Sequence, residues 1–389
     1  MTPRDVNFGK WYNDICLKSE LISFSDIKGF IIYLPDSYFI WEQIQKFLNK
    51  KLKQINHQNV YFPFILSEKY FQKEKKHISG FSPETIKLSL PGKNNSISEN
   101  FIIRPTSEVI FSQYYSKIIN TYKDLPKLYN QWCNVIRWEK STKPFLRGRE
   151  FLWQEGHTIH SDKKDALDET LFILEIYKKL FKKILAIPFV CGKKTELEKF
   201  AGSKFTYSLE TLMYDGQSLQ TATSHYLGKN FAKSFNIKFK DRENNYKFVY
   251  QTSWGISTRL LGAIIMVHGD DKGLVIPPYI APIQIVIIPL NIKNKKIIEK
   301  SFFLFNMLNE KYRVFLDMSD KGVGWKFNQY EIKGVPLRLE IGETELKEEK
   351  ILIFTRYNLK KEIMKIDEFI SNISFLLKNI HKKMYEKAQ

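Results

Sequence analysis

The sequence predicts an α+β chain of two domains. Residues 1–277 mix long helices with runs of antiparallel-type strands, and residues 278–389 form a smaller α/β unit. Three observations carry this. Apolar residues recur at helical spacing in several long stretches. Strand-like alternation flanks a turn-like centre within residues 131–157. Short strand and helix patterns then alternate beyond Pro277-Pro278.

In chain order, Asp36 and Ser37 precede Ile40, Ile44, Phe47, Leu48, Leu52 and Ile55, whose spacing predicts an amphipathic helix over 37–56. Val60-Tyr61-Phe62 is a short β-type run that stops at Pro63. Residues 91–100 (PGKNNSISEN) read as a polar loop, residues 164–185 as a second long helix, and residues 260–268 (LLGAIIMVH) as a buried apolar one. After Pro278 the pattern predicts strand 283–289, helix 295–309, strand 312–316, a glycine-containing segment, strands 335–341 and 350–355, and a final helix 366–386.

A length of 389 residues exceeds one compact core. With 43% hydrophobic and 26% charged residues the composition is that of a globular protein. A net charge of +19 either attracts polyanions or reflects lysines that solvate the surface. The three cysteines, Cys16, Cys133 and Cys191, are far apart and form no CxxC pair, which argues against a disulfide framework and a thiolate zinc site. That usage, with no signal core or transit pattern at Met1–Asp5, sets the expectation of a cytoplasmic protein without zinc. No apolar run approaches the ~20 residues of a membrane span.

The chemistry concentrates in Gln131 to His157, QWCNVIRWEKSTKPFLRGREFLWQEGH. Read as a hairpin about Lys140–Pro144, it places Cys133, Val135, Arg137 and Glu139 on one face of the first strand, and Arg149, Phe151, Trp153, Glu155 and His157 on one face of the second. The other faces carry Trp132, Ile136, Trp138 and Leu152 and read as apolar. One side is then either a solvated face with cross-strand ion pairs or, given two aromatics among the charges, a concave site that stacks a base and neutralises phosphates.

Arg137-Trp138-Glu139, a loop, and Arg147-Gly148-Arg149-Glu150-Phe151 resemble motif 2 of class II aminoacyl-tRNA synthetases, and the whole string resembles that of prolyl-tRNA synthetases in the form found in archaea and eukaryotes. Arg104-Pro105-Thr106-Ser107-Glu108 resembles the family's amino-acid-binding loop. Helix 37–56 with Val60–Pro63 resembles motif 1, which implies a homodimer interface, and Ser253–Arg259 with the following helix resembles motif 3. Four matches in order span nearly the whole chain. They imply an antiparallel sheet flanked by helices as the catalytic domain, 1–277, and an anticodon-binding domain, 278–389. They also imply ATP, Mg2+, L-proline and tRNA(Pro) as reactants or partners.

The resemblance further implies roles. Arg137 bridges the proline carboxylate and the α-phosphate, and Glu139 accepts from the adenine amino group. Phe151 and Arg259 sandwich the adenine, and Arg149 with Arg147 holds the outer phosphates. Gln220, Thr223 and Ser257 contact ATP, and Gln220 also offers an oxygen to magnesium. Thr106 and Glu108 accept from the proline amine, while Trp153, His157, Phe200 and His225 line the ring. Glu155 orients neighbours rather than touching substrate. Residues 324–342 resemble the family's anticodon domain, where Glu331 and Arg338 either read guanines or form a structural ion pair.

Gly148, Ser257, Tyr330 and Thr221-Ala222 depart from the family's usual residues without removing a charge the mechanism needs. The short interval between motifs 2 and 3 implies that no editing insertion is present, and the extra C-terminal domain of archaeal and eukaryotic relatives is expected to be absent. Two other readings stay open: a related synthetase for Thr, Ser or Gly, and a synthetase-like protein that binds tRNA without catalysis.

Overall fold

The computed structural model describes residues 1–69, 85–88 and 100–389. Most of the polar loop read at 91–100 lies outside them. Among the described residues the larger unit is built on a seven-stranded sheet. Its strands run in the spatial order Gln58–Asn59, Lys127–Ile136, Glu150–His160, Tyr250–Ser257, Ser218–Gly228, Phe205–Leu212 and Val190–Lys193. All neighbours are antiparallel except the first pair, which is parallel. This is the antiparallel, helix-flanked sheet that the motifs imply.

One face of the sheet is covered by helices Phe8–Lys18, Pro35–Lys53, Lys163–Leu180 and Arg259–His268. Their buried stripes include Ile40, Ile44, Leu48 and Leu52 from the second and Ile173, Leu174, Tyr177 and Leu180 from the third, and they merge into one apolar cluster with Trp254 and Ile256. The other face is open at its centre. It is flanked by a small sheet containing Phe101–Ile103, by helix Glu108–Ile118 and by helix Asn230–Phe235, whose apolar sides form a separate cluster.

Local details differ from the sequence reading for identifiable reasons. The first long helix starts at Pro35, whose missing N–H costs nothing in a first turn, and Ser37 bonds back to the Leu21 and Leu34 carbonyls instead of capping it. The β-type run expected at 60–62 is shifted to Gln58–Asn59, and only the Val60 N–H continues the pairing, to the Asn130 carbonyl. The hairpin's outer face is less apolar than expected. Trp132 and Leu152 do pack against the core, but Asn130, Gln154 and Tyr177 form a buried hydrogen-bonded chain between them. Trp138 lies beyond the strand end, is 38% exposed, and is covered by the Arg149 guanidinium at 3.9 Å.

The second unit is a five-stranded sheet in the order Val314–Leu316, Ile285–Pro289, Leu337–Ile341, Lys350–Thr355 and Lys360–Lys365. The first three are parallel and the last two antiparallel additions. Ile285–Pro289 is buried along its whole length, as a continuous apolar run in a parallel setting requires. Helices Lys295–Asn309 and Ile366–Ala388 share one apolar cluster with the sheet, and Phe327 and Tyr330 of helix Val323–Ile332 pack on Val286 and Ile288. Where the two units meet, Arg356 forms a two-pronged ion pair with Asp270 at 2.7 and 2.6 Å and donates to the Glu331 carbonyl. No helix of the described residues is long and apolar enough to cross a membrane.

Candidate active site

The open face of the large sheet holds a cavity of about 580 Å³. Its floor follows from strand register. Directly opposed residues on antiparallel strands share a face. His157, Ser253, His225 and Thr206 therefore form one row across four strands, and Glu155, Gly255 and Thr223 form the next. Gly255 leaves the middle of its row without a side chain, which opens the floor.

The hairpin register Cys133 to Trp153 and Gln131 to Glu155 brings Arg137, Phe151, Trp153, Glu155 and His157 of the predicted faces to the cavity. The lining includes Arg137, Phe151, Trp153, His157, Phe200, Gln220, Thr223, His225, Ser257 and Arg259, with Thr106 and Glu108 at one end. These residues come from well-separated parts of the chain.

Thr106 and Glu108 arrive on the turn between strand Phe101–Ile103 and helix Glu108–Ile118. Glu108 opens that helix, where the helix dipole favours a carboxylate, and Thr106 Oγ1 donates to it. The turn is held from below by Arg104, fully buried, which donates to the Phe62, Pro63 and Asn134 carbonyls. Arg137 joins the same turn by donating from Nε to the Pro105 carbonyl at 3.0 Å, and its guanidinium lies 5.4 Å from the rings of both Phe151 and Trp153.

Glu155 is the hub beneath this end. It is 2% exposed and accepts from Ser107, Gln131 and Cys133, with His157 Nε2 at 3.1 Å. Burial alone would raise its pKa; the hydrogen bond and charge of His157, with Ser107 and Arg104, more than reverse that and hold it below the usual carboxylate range. The buried anion fixes the His157 ring, which also stacks on Phe111 at 4.2 Å. The sequence reading assigns no role to Ser107, Gln131, Thr206 or Ser253. Of these, Gln131 sits on the odd-numbered face of the hairpin and was legible by the same alternation.

At the other end Arg259 opens its helix and donates to the Leu146 and Gln220 carbonyls. Burial lowers its pKa, and the charges of Arg137 and Arg147 lower it further; burial likewise lowers that of Arg137, against the pull of Glu108, Glu155 and Glu139. Two half-buried guanidiniums close enough to repel make a site that an anion stabilises.

Glu139, Arg147 and Arg149 do not line this cavity. Glu139 pairs with Arg147 at 3.4 Å, and Arg149 donates to the Lys28 and Glu139 carbonyls. Arg147 lines an adjoining recess of about 290 Å³, which shares Phe151 with the main cavity. In the second unit Arg338 is 3% exposed, lies between the Phe327 and Phe354 rings, and is ion-paired to Glu331 and Glu340. Its guanidinium is thus committed inside the protein, while Glu331 keeps part of its carboxylate accessible.

Known families match this arrangement. Residues 91–268 match the model of the tRNA synthetase class II core domain (G, H, P, S and T), and residues 284–376 that of an anticodon binding domain. The proline–tRNA ligase of Onion yellows phytoplasma (strain OY-M) is 60% identical over 388 residues, covering 100% of this chain and 82% of that protein. The chain belongs to the prolyl-tRNA synthetase family. It is therefore an aminoacyl-tRNA ligase of class II, with the antiparallel catalytic sheet and the separate anticodon-binding fold of that class. The proline–tRNA ligase of Clostridium novyi (strain NT) is 48% identical over 389 residues, 100% of this chain and 81% of that one. Among solved structures, a prolyl-tRNA synthetase from Cryptosporidium parvum complexed with halofuginone and AMPPNP superposes with a TM-score of 0.95 at 41% identity, covering 100% of this chain and 81% of that one. The same organism's synthetase complexed with L-proline and AMP gives 0.94 at 39% identity.

Proposed function

We infer that the chain carries out its family's two-step reaction in the cavity on the open face of the sheet. A proline carboxylate oxygen attacks the α-phosphorus of ATP, forming prolyl-adenylate and releasing pyrophosphate. A terminal hydroxyl of tRNA(Pro) then attacks the acyl carbon and releases AMP. The observation that carries this is the pairing of two half-buried, mutually repelling arginines, Arg137 and Arg259, with an acceptor-rich recess at Thr106, Glu108 and His157.

Both reactants of the first step are anions, so the barrier is chiefly electrostatic and positional. Arg137, fixed by the Pro105 carbonyl, neutralises the proline carboxylate and the α-phosphate together. The proline ammonium faces Glu108 and Thr106, and its ring packs among Trp153, His157, Phe200 and His225. Adenine lies between Phe151 and Arg259, with Gln220, Thr223 and Ser257 at the ribose and phosphates. Glu139, Arg147 and Arg149 reach the adenine amino group and outer phosphates once their mutual pairing is exchanged for contacts with ATP. Among the described residues no cluster of three His, Cys, Asp or Glu forms a metal cage, so Mg2+ would be held chiefly by phosphate oxygens with the Gln220 side chain, and would screen charge on the leaving pyrophosphate.

The family models fall on either side of Pro277-Pro278, which supports 1–277 as the catalytic domain and 278–389 as the anticodon-binding domain. In the latter, Glu331 meets anticodon guanines and Arg338 aims it. The open sheet edge at Gln58–Asn59, beside exposed Tyr61 and Ile65, supports a homodimer formed through the motif 1 region. Overlap with 81% of the Cryptosporidium parvum enzyme, along the whole of this chain, supports the archaeal and eukaryotic type. A role in translation supports a cytoplasmic location.

Proline- and ATP-dependent pyrophosphate exchange tests the division of the cavity. Glu108→Gln is expected to raise the KM for proline and leave that for ATP near wild type, and Phe151→Ala to do the reverse. An unchanged proline KM in Glu108→Gln would overturn the assignment.

A further inference from the structure

Cys133 takes part in no step of the reaction, yet it stands directly across the hairpin from Trp153. The Trp153 Nε1–H donates to Cys133 Sγ at 3.2 Å, and Gln131 Nε2 donates to the same sulfur at 3.3 Å. Glu155 Oε1 lies 3.3 Å from it. The chemistry of the groups fixes the direction of each contact. An indole N–H and an amide NH2 only donate, and an ionised carboxylate only accepts. The sulfur therefore meets the indole and the amide with its lone pairs and gives its proton to Glu155. Against the cost of burial, His157, Ser107 and Arg104 hold Glu155 ionised. Burial, with the Glu155 charge, raises the Cys133 pKa well above that of a free thiol, so the proton stays on sulfur.

We infer that Cys133 is a positioning residue that sets the Trp153 indole against the proline ring. This rests on the placement of Trp153 in the proline subsite. The other contacts of the indole are the Phe151 ring, edge-on at 5.9 Å, and the Arg137 guanidinium at 5.4 Å. Aromatic and cation–π contacts tolerate rotation of the ring, whereas a hydrogen bond to its single N–H does not. The bond to Cys133 is thus what fixes how the indole is turned. The carboxylate that takes the thiol proton also holds His157 Nε2, at 3.1 Å. Two walls of the ring subsite, Trp153 and His157, are therefore referred to one buried anion, and Cys133 is the link that brings the first of them to it.

The consequence is selective. Proline meets the indole with its ring, and alanine has no ring to meet it. Loosening Trp153 therefore weakens proline and leaves alanine and ATP nearly as they were. Because the smaller amino acid is excluded only by the contacts it fails to make, the setting of this wall governs how far proline is preferred.

The test uses the full chain labelled with 15N tryptophan, with the Trp153 indole signal identified by its loss in Trp153→Phe. Cys133→Val is apolar and removes the hydrogen bonding of the side chain. It is expected to shift the Trp153 indole N–H signal and to speed its exchange with solvent. In pyrophosphate exchange it is expected to raise the proline KM about fivefold, the change that one neutral hydrogen bond is worth, with the KM values for ATP and alanine within about twofold of wild type. Cys133→Ala, which adds no bulk, is expected to do the same. Cys133→Ser supplies one proton and a lone pair at the same place, and should return both the signal and the proline KM towards wild type. An indole signal in Cys133→Val that matches wild type overturns the inference. So does a rise in KM that is equal for proline and alanine, which would make Cys133 a general support of the cavity. An unchanged proline KM in Trp153→Phe would overturn the placement of the indole wall, and the inference with it, whatever the spectra of the Cys133 variants show.

Discussion

Replacing Gly156 by alanine would put a methyl group inside the Trp254 indole. Gly156 lies between Glu155 and His157, and Trp254 faces it across the strand pair. An ideal Cβ there would fall 2.1, 2.2 and 2.3 Å from Cζ2, Cη2 and Cε2 of the ring. Carbon atoms rest at about 3.5–4.0 Å, so the ring must retreat by more than ~1 Å. It has no free space to do so, being 2% exposed and set against the His57 ring at 5.4 Å. Forced overpacking costs about 1–3 kcal/mol or more, and a rigid bicycle that cannot rotate away places this site at the upper end, about 3 kcal/mol. Denaturant unfolding followed by tryptophan fluorescence measures it. In a double-mutant cycle Trp254→Leu removes the clash, so Gly156→Ala should cost far less in that background. A Gly156→Ala chain within ~0.5 kcal/mol of wild type, or one whose loss is the same with and without Trp254, would refute the packing argument.

Four other outcomes are expected. Burial lowers the pKa of His160 and His268 to about 4 and of His225 to about 3, against about 6.5 when unfolded. Protonation therefore favours unfolding: their contribution is complete above pH ~6.5 and falls by at most ~1.4 kcal/mol per group per unit below it, so denaturation midpoints should drop between pH 6.5 and 4 with net proton uptake. Midpoints flat over that window would contradict the burial of these rings. Arg356→Ala leaves Asp270 without its buried partner and should destabilise by roughly 3 kcal/mol, raising the KM for tRNA more than that for proline in charging assays; equal effects on both would show that Arg356 does not set how the anticodon unit is carried. A pocket shaped for proline excludes the smaller alanine only by missing contacts, about 10–200-fold per methylene, so alanine-dependent pyrophosphate exchange should be detectable. Between His160 and Tyr250 the chain forms only the long helix with its continuation Phe181–Leu185, one further short helix, and strands of the sheet and a small hairpin. The purified chain is therefore expected not to hydrolyse Ala-tRNA, and rapid hydrolysis would refute that.

Much of the framework was legible because the signals were local. Helix Lys295–Asn309 matches the span read from its apolar spacing, and the face-to-face alternation of the hairpin predicts that Arg137, Phe151, Trp153 and His157 line one cavity. Helix Val323–Ile332 was not legible: glycines at 322 and 324 interrupt the pattern, and of its residues only Lys326 is buried. Strand Lys360–Lys365 is an almost wholly exposed edge, so no apolar alternation marks it. Alternation assigns a face but not a rotamer, which is why Arg149 was grouped with the cavity although its side chain turns to the Lys28 carbonyl. Thr206 and Ser253 become site residues only when distant strands pair in one register, and no local pattern encodes that.

The central claim is that the cavity activates proline with ATP. Pyrophosphate exchange with each of the twenty amino acids, using the purified chain and magnesium, tests it most directly. Exchange is expected to be strongest with proline and lost in Arg137→Ala. Folded protein that binds tRNA but exchanges with no amino acid would contradict it and leave a tRNA-binding relative without catalysis.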